Sequence, residues 1–296
     1  MTPFKRKALR VYSKGTRTGA LRRFLKWGFD PSLRVQVTRW KISPAKWTAG
    51  QMRIVILSDI HASAPFMMPR HIRKYVRRAN ALAPDLILLP GDFAYGVLPG
   101  FKRPSRQAVV DELTALNAPL GVYAVMGNHD WKEDEEMEDI SSGPPQIARL
   151  LEAAGIPVLE NKAIKISRDD GDFWLAGLGD QRAFKKDGEM IGSDDLPGTM
   201  AQIGDDECPA IMMAHEPDGF VDMDEKIALT ISGHTHGGQM TFFGKVLGVP
   251  SKYGTRYAYG HVHEDQGDLI VTSGLGCAVF PLRLGVVPEI GVVELS

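Results

Sequence analysis

Four residues concentrate the chemistry of this chain: Gly127-Asn128-His129-Asp130. They follow a short apolar run, Gly121-Val122-Tyr123-Ala124-Val125-Met126, so an amide oxygen, an imidazole and a carboxylate come in succession where a strand ends. Gly127 lets the chain turn sharply there. Four other apolar runs end in the same kind of chemistry, at Asp59-x-His61, Gly91-Asp92, His215 and Gly233-His234-Thr235-His236. Each block alone has an ordinary explanation. Asp-Ile-His can end any strand, a lone His215 fits a hydrogen-bonded core histidine, and Asp130 can cap the segment that follows it. Together they form a donor set of oxygens and imidazole nitrogens without sulfur, which suits Mn, Fe, Zn or Co. Cys208 and Cys277 stand far apart and outside any C-x-x-C spacing. They provide neither a thiolate zinc site nor a disulfide framework, and they fit a reducing compartment.

The elements that must position these blocks are read from periodicity. Ile54-Val55-Ile56-Leu57 is a buried-type strand that runs into Asp59 and His61. Ile72, Tyr75, Val76, Ala79 and Leu82 recur at helical spacing over 69–83, and Leu86-Ile87-Leu88-Leu89 is a second strand running into Asp92. A helix is predicted over 104–118, with Val109, Leu113 and Leu116 inward, before the strand at 121–126. Strand–helix alternation implies a parallel sheet with helical crossovers. Ligands in such sheets gather beyond the carboxyl ends of the strands, where these blocks fall. An acidic loop is expected at 131–143 and a helix at 145–154; from residue 157 the pattern shifts to short β runs. Ile211–Ala214 leads to His215, and Ile227–Ser232 leads to His234 and His236. The stretches 180–207 and 244–266 read as long irregular segments, which would leave His261-x-His263 in a loop.

In order and spacing the five blocks resemble those of the calcineurin-like metallophosphoesterases, over about residues 50–296. The run Gly233-His234-Thr235-His236-Gly237-Gly238-Gln239 and the ending Pro281-Leu282-Arg283 with Pro288-Glu289-Ile290 are similar to a bacterial subfamily of membrane-associated phosphodiesterases. Some members of that subfamily hydrolyse UDP-2,3-diacylglucosamine. The resemblance implies an α/β fold, a four-layer α/β/β/α sandwich of two mixed sheets. It implies two divalent or trivalent metal ions, Mn, Fe or Zn. Asp59, His61 and His236 would bind the first, Asn128, His215 and His234 the second, and Asp92 would bridge both. Two cations about 4 Å apart can clamp a phosphoryl group and hold a bridging hydroxide for in-line attack. A neutral Asn128 keeps the site's net charge positive for a phosphate. His129 is expected as the general acid toward the leaving alkoxide, with Asp130 fixing its tautomer.

The net charge of −1 hides an asymmetry. Residues 1–50 hold 13 Lys and Arg against one acid, whereas the rest holds 22 basic and 35 acidic residues. An acidic body disfavours bulk nucleic acid as a partner. Within 16–29, Ala20, Leu21, Phe24, Leu25 and Phe29 share a helical face from which Arg22, Arg23 and Lys26 are absent. Such a basic amphipathic arm suits an anionic membrane surface. The Arg22-Arg23 pair resembles an export signal, but the apolar stretch that signal needs is missing. The expected organisation is an arm over 1–32 and one metallophosphoesterase domain over 33–296, cytoplasmic and peripheral on the inner membrane. The expected activity is hydrolysis of a phosphodiester or pyrophosphate, in a lipid- or nucleotide-linked substrate. A phosphomonoesterase, a nuclease and a non-catalytic membrane-bound scaffold are the alternatives.

Overall fold

Along one short strand, Ile54 and Ile56 face one way while Val55 and Leu57 face the other, and all four are buried. This period of two, repeated in every central strand, sorts the core into layers. The computed structural model describes residues 35–296 apart from 97–99, 138, 243–244 and 247. The expected arm over 1–32 lies outside the described residues.

In chain order the elements are β1 (Gln36–Ile42), β2 (Met52–Ile56), α1 (Pro69–Asn80), β3 (Leu86–Pro90), α2 (Arg106–Leu113), β4 (Val122–Val125), α3 (Asn128–Lys132) and α4 (Gln146–Ala153). Then follow β5 (Lys162–Ile166), β6 (Phe173–Gly177), β7 (Phe184–Lys186), β8 (Glu189–Ile191), α5 (Leu196–Ile203), β9 (Ala210–Met213) and β10 (Ile227–Ser232). The chain finishes with β11 (Thr241–Phe242), β12 (Lys245–Val246), β13 (Gly260–Glu264), β14 (Gly267–Val271) and β15 (Glu289–Leu295).

Two large mixed sheets result. The first has the order β1-β15-β2-β3-β4, with β2, β3 and β4 parallel and β15 antiparallel to β2. The second has the order β13-β14-β10-β9-β6-β5, parallel through its centre and antiparallel at both edges. Ile54, Ile56, Leu86 and Leu88 of the first sheet meet Leu175, Ile211, Met213, Leu229 and Ile231 of the second in one core between the sheets. On the far side of the first sheet, Val55, Leu57, Ile87 and Leu89 pack against Ile72 and Tyr75 of α1, Val109 and Leu113 of α2, and Ile147 and Leu151 of α4. On the far side of the second, Ala176, Met212 and Leu269 meet Ile203 of α5 and Phe220 of a 3-10 turn. The four layers α/β/β/α follow from these three cores. Pro69 opens α1, and Ser105 caps α2 by accepting the Ala108 N–H at 3.2 Å.

Three segments differ from the sequence reading. The stretch 180–207 carries the β7–β8 hairpin and α5 rather than loops alone. The acidic segment after Asp130 begins inside α3. His261 and His263 lie on β13, where both rings face Asp268 Oδ1 on β14, at 2.5 and 3.1 Å. Among the described residues no helix is long and apolar enough to cross a membrane.

Candidate metal centre

The sheets bring the predicted blocks to one edge. Asp59 and His61 follow β2, Asp92 follows β3, and Asn128 and His129 follow β4. His215 follows β9, and His234 and His236 follow β10, so the second sheet supplies the other half of the donors. Asp59, His61, Asp92, His234 and His236 all have positive φ, between 44° and 66°. Non-glycine residues rarely adopt that backbone, and where it clusters the strain serves a site. Glycine is required where the loops touch. A Cβ on Gly127 would collide with Asp92 Oδ1, and one on Gly233 would collide with the Asp59 carboxylate.

Asp92 occupies the centre. Its Oδ2 lies 3.4 Å from His61 Nε2 and 3.1 Å from His215 Nε2, while its Oδ1 accepts the His129 backbone N–H at 2.9 Å. On one side Asp59, His61 and His236 form a compact donor group; on the other, Asp92, His215 and His234 form a second. Backbone carbonyls set the imidazole tautomers. His61 Nδ1 donates to Tyr95 O at 3.0 Å, His215 Nδ1 to Pro90 O at 2.6 Å, and His234 Nε2 to Pro250 O at 3.1 Å. The other nitrogen of each ring is thereby turned inward, toward the centre, as metal-binding histidines require.

The residues fit a pair of metal ions on three observations. Asp59 Oδ2 and Asn128 Oδ1 are buried and meet no hydrogen-bond partner. Donor atoms of Asp59, His61 and His236, and those of Asp92, His215 and His234, gather within 4.8 Å of one another in each group. Burial, with Asp92 adding to it, raises the Asp59 carboxyl to about 6 and that of Asp130 to about 7, so positive charge held beside them would be favoured. Asp92 is the exception. Burial pushes it up, but His215, His129 and His61 hold it well below the usual carboxylate range. Burial keeps His61 neutral, down to about 3, and also holds His234 and His236 well below the usual range.

Asp130 and His129 sit beside this centre, and the expected link between them is corrected. Asp130 does not touch the His129 ring. Its carboxylate accepts the backbone N–H groups of Asp92 at 2.8 Å, Phe93 at 2.9 Å, Ala94 at 3.4 Å and Gly127 at 2.9 Å. It is a hub that ties the β3 loop to the β4 loop. The acid that meets His129 is Glu133, one helical turn on, with Oε1 2.7 Å from Nδ1. Glu133 is itself held by the Gly96 N–H at 3.0 Å and by Arg103 Nη1 at 3.3 Å. Burial lowers the His129 pKa, but Asp92 and Glu133 outweigh it and leave the ring raised.

Arg283, part of the closing Pro281-Leu282-Arg283 run, reaches the same centre. It is 2% exposed and donates from Nε to Gly276 O at 2.7 Å. Its Nη2 donates to Ser273 O at 2.7 Å and to His236 Nδ1 at 3.0 Å. The spacing His129-x-x-x-Glu133 was the available signal for Glu133; nothing in the sequence marked the burial of Arg283.

Comparison with known proteins gives the family. Residues 52–238 match the family model described as calcineurin-like phosphoesterase. The chain is 32% identical over 252 residues to the uncharacterized metallophosphoesterase YkuE of Bacillus subtilis, covering 82% of this chain and 79% of that one. It is 30% identical over 264 residues to the phosphodiesterase YaeI of Escherichia coli, covering 88% of each. Among solved structures, a dimetal phosphatase from Danio rerio aligns with 75% of this chain and 87% of its own, at 12% identity and a TM-score of 0.42. The chain belongs to the calcineurin-like phosphoesterase family, hydrolases that work with bound divalent metals.

Proposed function

We propose that this protein is a dinuclear metallophosphoesterase that hydrolyses phosphodiester or pyrophosphate bonds. The observation that carries the reading is the single oxygen, Asp92 Oδ2, set between His61 and His215 with a donor group on each side. Asp59, His61 and His236 would hold one ion, Asn128, His215 and His234 the other, and Asp92 both. When bound, the pair supplies Lewis acidity toward phosphoryl oxygens and an activated nucleophile. The O- and N-donor set suits Mn, Fe or Zn.

The chain's own acid is His129. Glu133 orients it through Nδ1, leaving Nε2 to give a proton to the departing oxygen. His129 keeps a quarter of its side chain exposed, so a substrate reaches it, whereas Asp130 is sealed beneath.

A lipid-linked substrate is supported by the rim. Val279 and Phe280 are about half exposed, at 49% and 52%. The Val279 N–H donates to Gly96 O at 2.6 Å, and Gly96 in turn donates to Glu133. Apolar side chains beside a phosphate site suit an acyl or prenyl chain. The YaeI relative is named a phosphodiesterase, and UDP-diacylglucosamine, a substrate in the subfamily that the closing residues resemble, is the first lipid-linked candidate to screen. The basic arm over 1–32 would hold the domain, 33–296, on the anionic inner face of the membrane; its binding to anionic liposomes should then weaken with salt.

The test is metal content by elemental analysis with Mn-supplemented hydrolysis of bis-p-nitrophenyl phosphate and p-nitrophenyl phosphate. Two metals per chain and diesterase activity well above monoesterase activity are expected. At most one metal after reconstitution would refute the bridging role of Asp92.

A further inference from the structure

Two more carboxyls are buried at the same end of the molecule. Asp180 is fully enclosed, and Glu216, the residue after His215, is 2% exposed. Each has one oxygen satisfied. Glu216 Oε2 accepts the Gln181 N–H at 3.0 Å, and Asp180 Oδ1 accepts the Arg182 N–H at 2.7 Å. The other oxygens, Glu216 Oε1 and Asp180 Oδ2, are shut off from solvent and meet no donor from the rest of the protein; the two carboxyls lie within hydrogen-bonding reach of each other, so one proton shared between them still leaves one buried negative charge. Among the described residues, the ion-pair neighbour within 4.0 Å of either group is a histidine, not a lysine or arginine: Glu216 Oε1 lies 3.9 Å from His234 Nδ1. That nitrogen is the one left free when Nε2 faces Pro250 O. Donor atoms of Asp180, Glu216 and His215 also form a compact group, all within 4.8 Å of one another.

A buried anion without a partner is strongly disfavoured, and a bound cation removes that penalty. The orphan oxygen of Glu216 stands beside the free nitrogen of His234, and its carboxyl is grouped with His215, so the cation that would satisfy it is the one those histidines hold. We propose that Glu216 is a further ligand of the second metal position, its Oε1 joining Asp92, Asn128, His215 and His234, with Asp180 as the positioning residue behind it. The assignment rests on the dinuclear reading above. It gives the second position two carboxylates, as Asp59 and Asp92 give the first, and the hard oxygen donors that suit Mn or Fe. It adds a negative charge to a site that the neutral Asn128 was expected to keep positive for a phosphate.

The test is Mn²⁺ binding to the chelator-stripped full chain, with free Mn²⁺ read by electron paramagnetic resonance. Glu216→Gln keeps an acceptor for the Gln181 N–H but removes the anion. The wild type should fill two positions. Glu216→Gln should fill one as tightly as the wild type and the other at least ~10-fold more weakly, with Asp180→Asn between the two. Glu216→Gln filling both positions within about threefold of the wild type would overturn the assignment. A wild type that fills at most one position would instead overturn the dinuclear reading, so the two failures are distinguishable. If Glu216→Gln does not fold by circular dichroism, anomalous diffraction from Mn-loaded wild-type crystals decides. A second manganese peak within bonding distance of Glu216 Oε1 supports the assignment, and one beyond that distance overturns it.

Discussion

Replacing Glu133 by glutamine should slow turnover in a way that depends on the leaving group. The structure pairs Glu133 Oε1 with His129 Nδ1 at 2.7 Å, and Gly96 and Arg103 hold the carboxylate in place. A hydrogen bond to a charged group contributes about 1.5–3 kcal/mol. At about 1.4 kcal/mol per factor of ten, losing its charged component costs roughly 10- to 150-fold in rate. Glutamine still accepts from Nδ1, which puts Glu133→Gln at the lower end, about tenfold. His129→Ala removes the acid itself and should cost about 10²- to 10⁴-fold. Both effects should be large for alkyl phosphodiesters, whose alkoxide needs a proton, and small for p-nitrophenyl esters, whose phenolate leaves without one. Because Asp92 and Glu133 raise the His129 pKa, the acid form is present below that pKa and lost above it. Activity should therefore fall on the alkaline side, and Glu133→Gln should move that limb to lower pH. The assay is kcat against leaving-group pKa for the three proteins, with two metals per chain verified in each. Equal slopes for all three would remove both residues from proton transfer.

Three further outcomes follow from the same contacts. Asp130→Ala leaves four backbone N–H groups without their acceptor, at about 1–3 kcal/mol for each buried donor left unmet, so the variant should melt well below the wild type and lose metal without the leaving-group signature of Glu133→Gln. Burial first, and then the nearby Asp130 and Glu216, raise the Glu160 carboxyl from 4.5 to about 8; the folded protein thus pays nothing at pH 4 and loses stability as pH rises toward 8, and Glu160→Gln should raise the melting temperature of chelated protein at pH 8 but not at pH 4. Removing the metals from the wild type should lower its melting temperature by roughly 8–16 °C per site that had been held at a thousandfold excess over its dissociation constant, a loss of about 4 kcal/mol at about 2–4 °C per kcal/mol; scanning calorimetry with and without chelator reads this directly.

Much of the fold was legible because its strands are short and buried on both faces. Runs such as Ile54–Leu57 and Leu86–Leu89 have no polar break, and each stops at a residue that carries chemistry. The site was legible as residue types but not as contacts. Asp130 was paired with His129 because they are neighbours in sequence, yet on a helix adjacent residues diverge and the fourth residue returns, which is where Glu133 sits. Reading 131–143 as a loop hid that spacing. Arg283 and Glu216 were missed for a different reason. Nothing local marks a charge as buried: Glu216 is enclosed by Asp180 and Gln181, about 35 residues earlier in sequence, and Arg283 meets His236, 47 residues earlier.

The same distance in sequence explains why the centre spans two sheets. Asp59, His61, Asp92 and Asn128 extend from the first, and His215, His234 and His236 from the second. Neither sheet alone gathers a full set of donors for either of the proposed ions. His236 reaches Asp59 and His61 from across the interface, and His215 reaches Asp92. The apolar core between the sheets must therefore set their separation before the donors can converge, and the ions in turn would tie one sheet to the other. A cavity in that core, such as Ile231→Ala would open, should then reach the site it does not touch: Ile231 is fully buried in the core between the sheets and lies on the strand that ends at His234. Stability and metal affinity are coupled through the same packing.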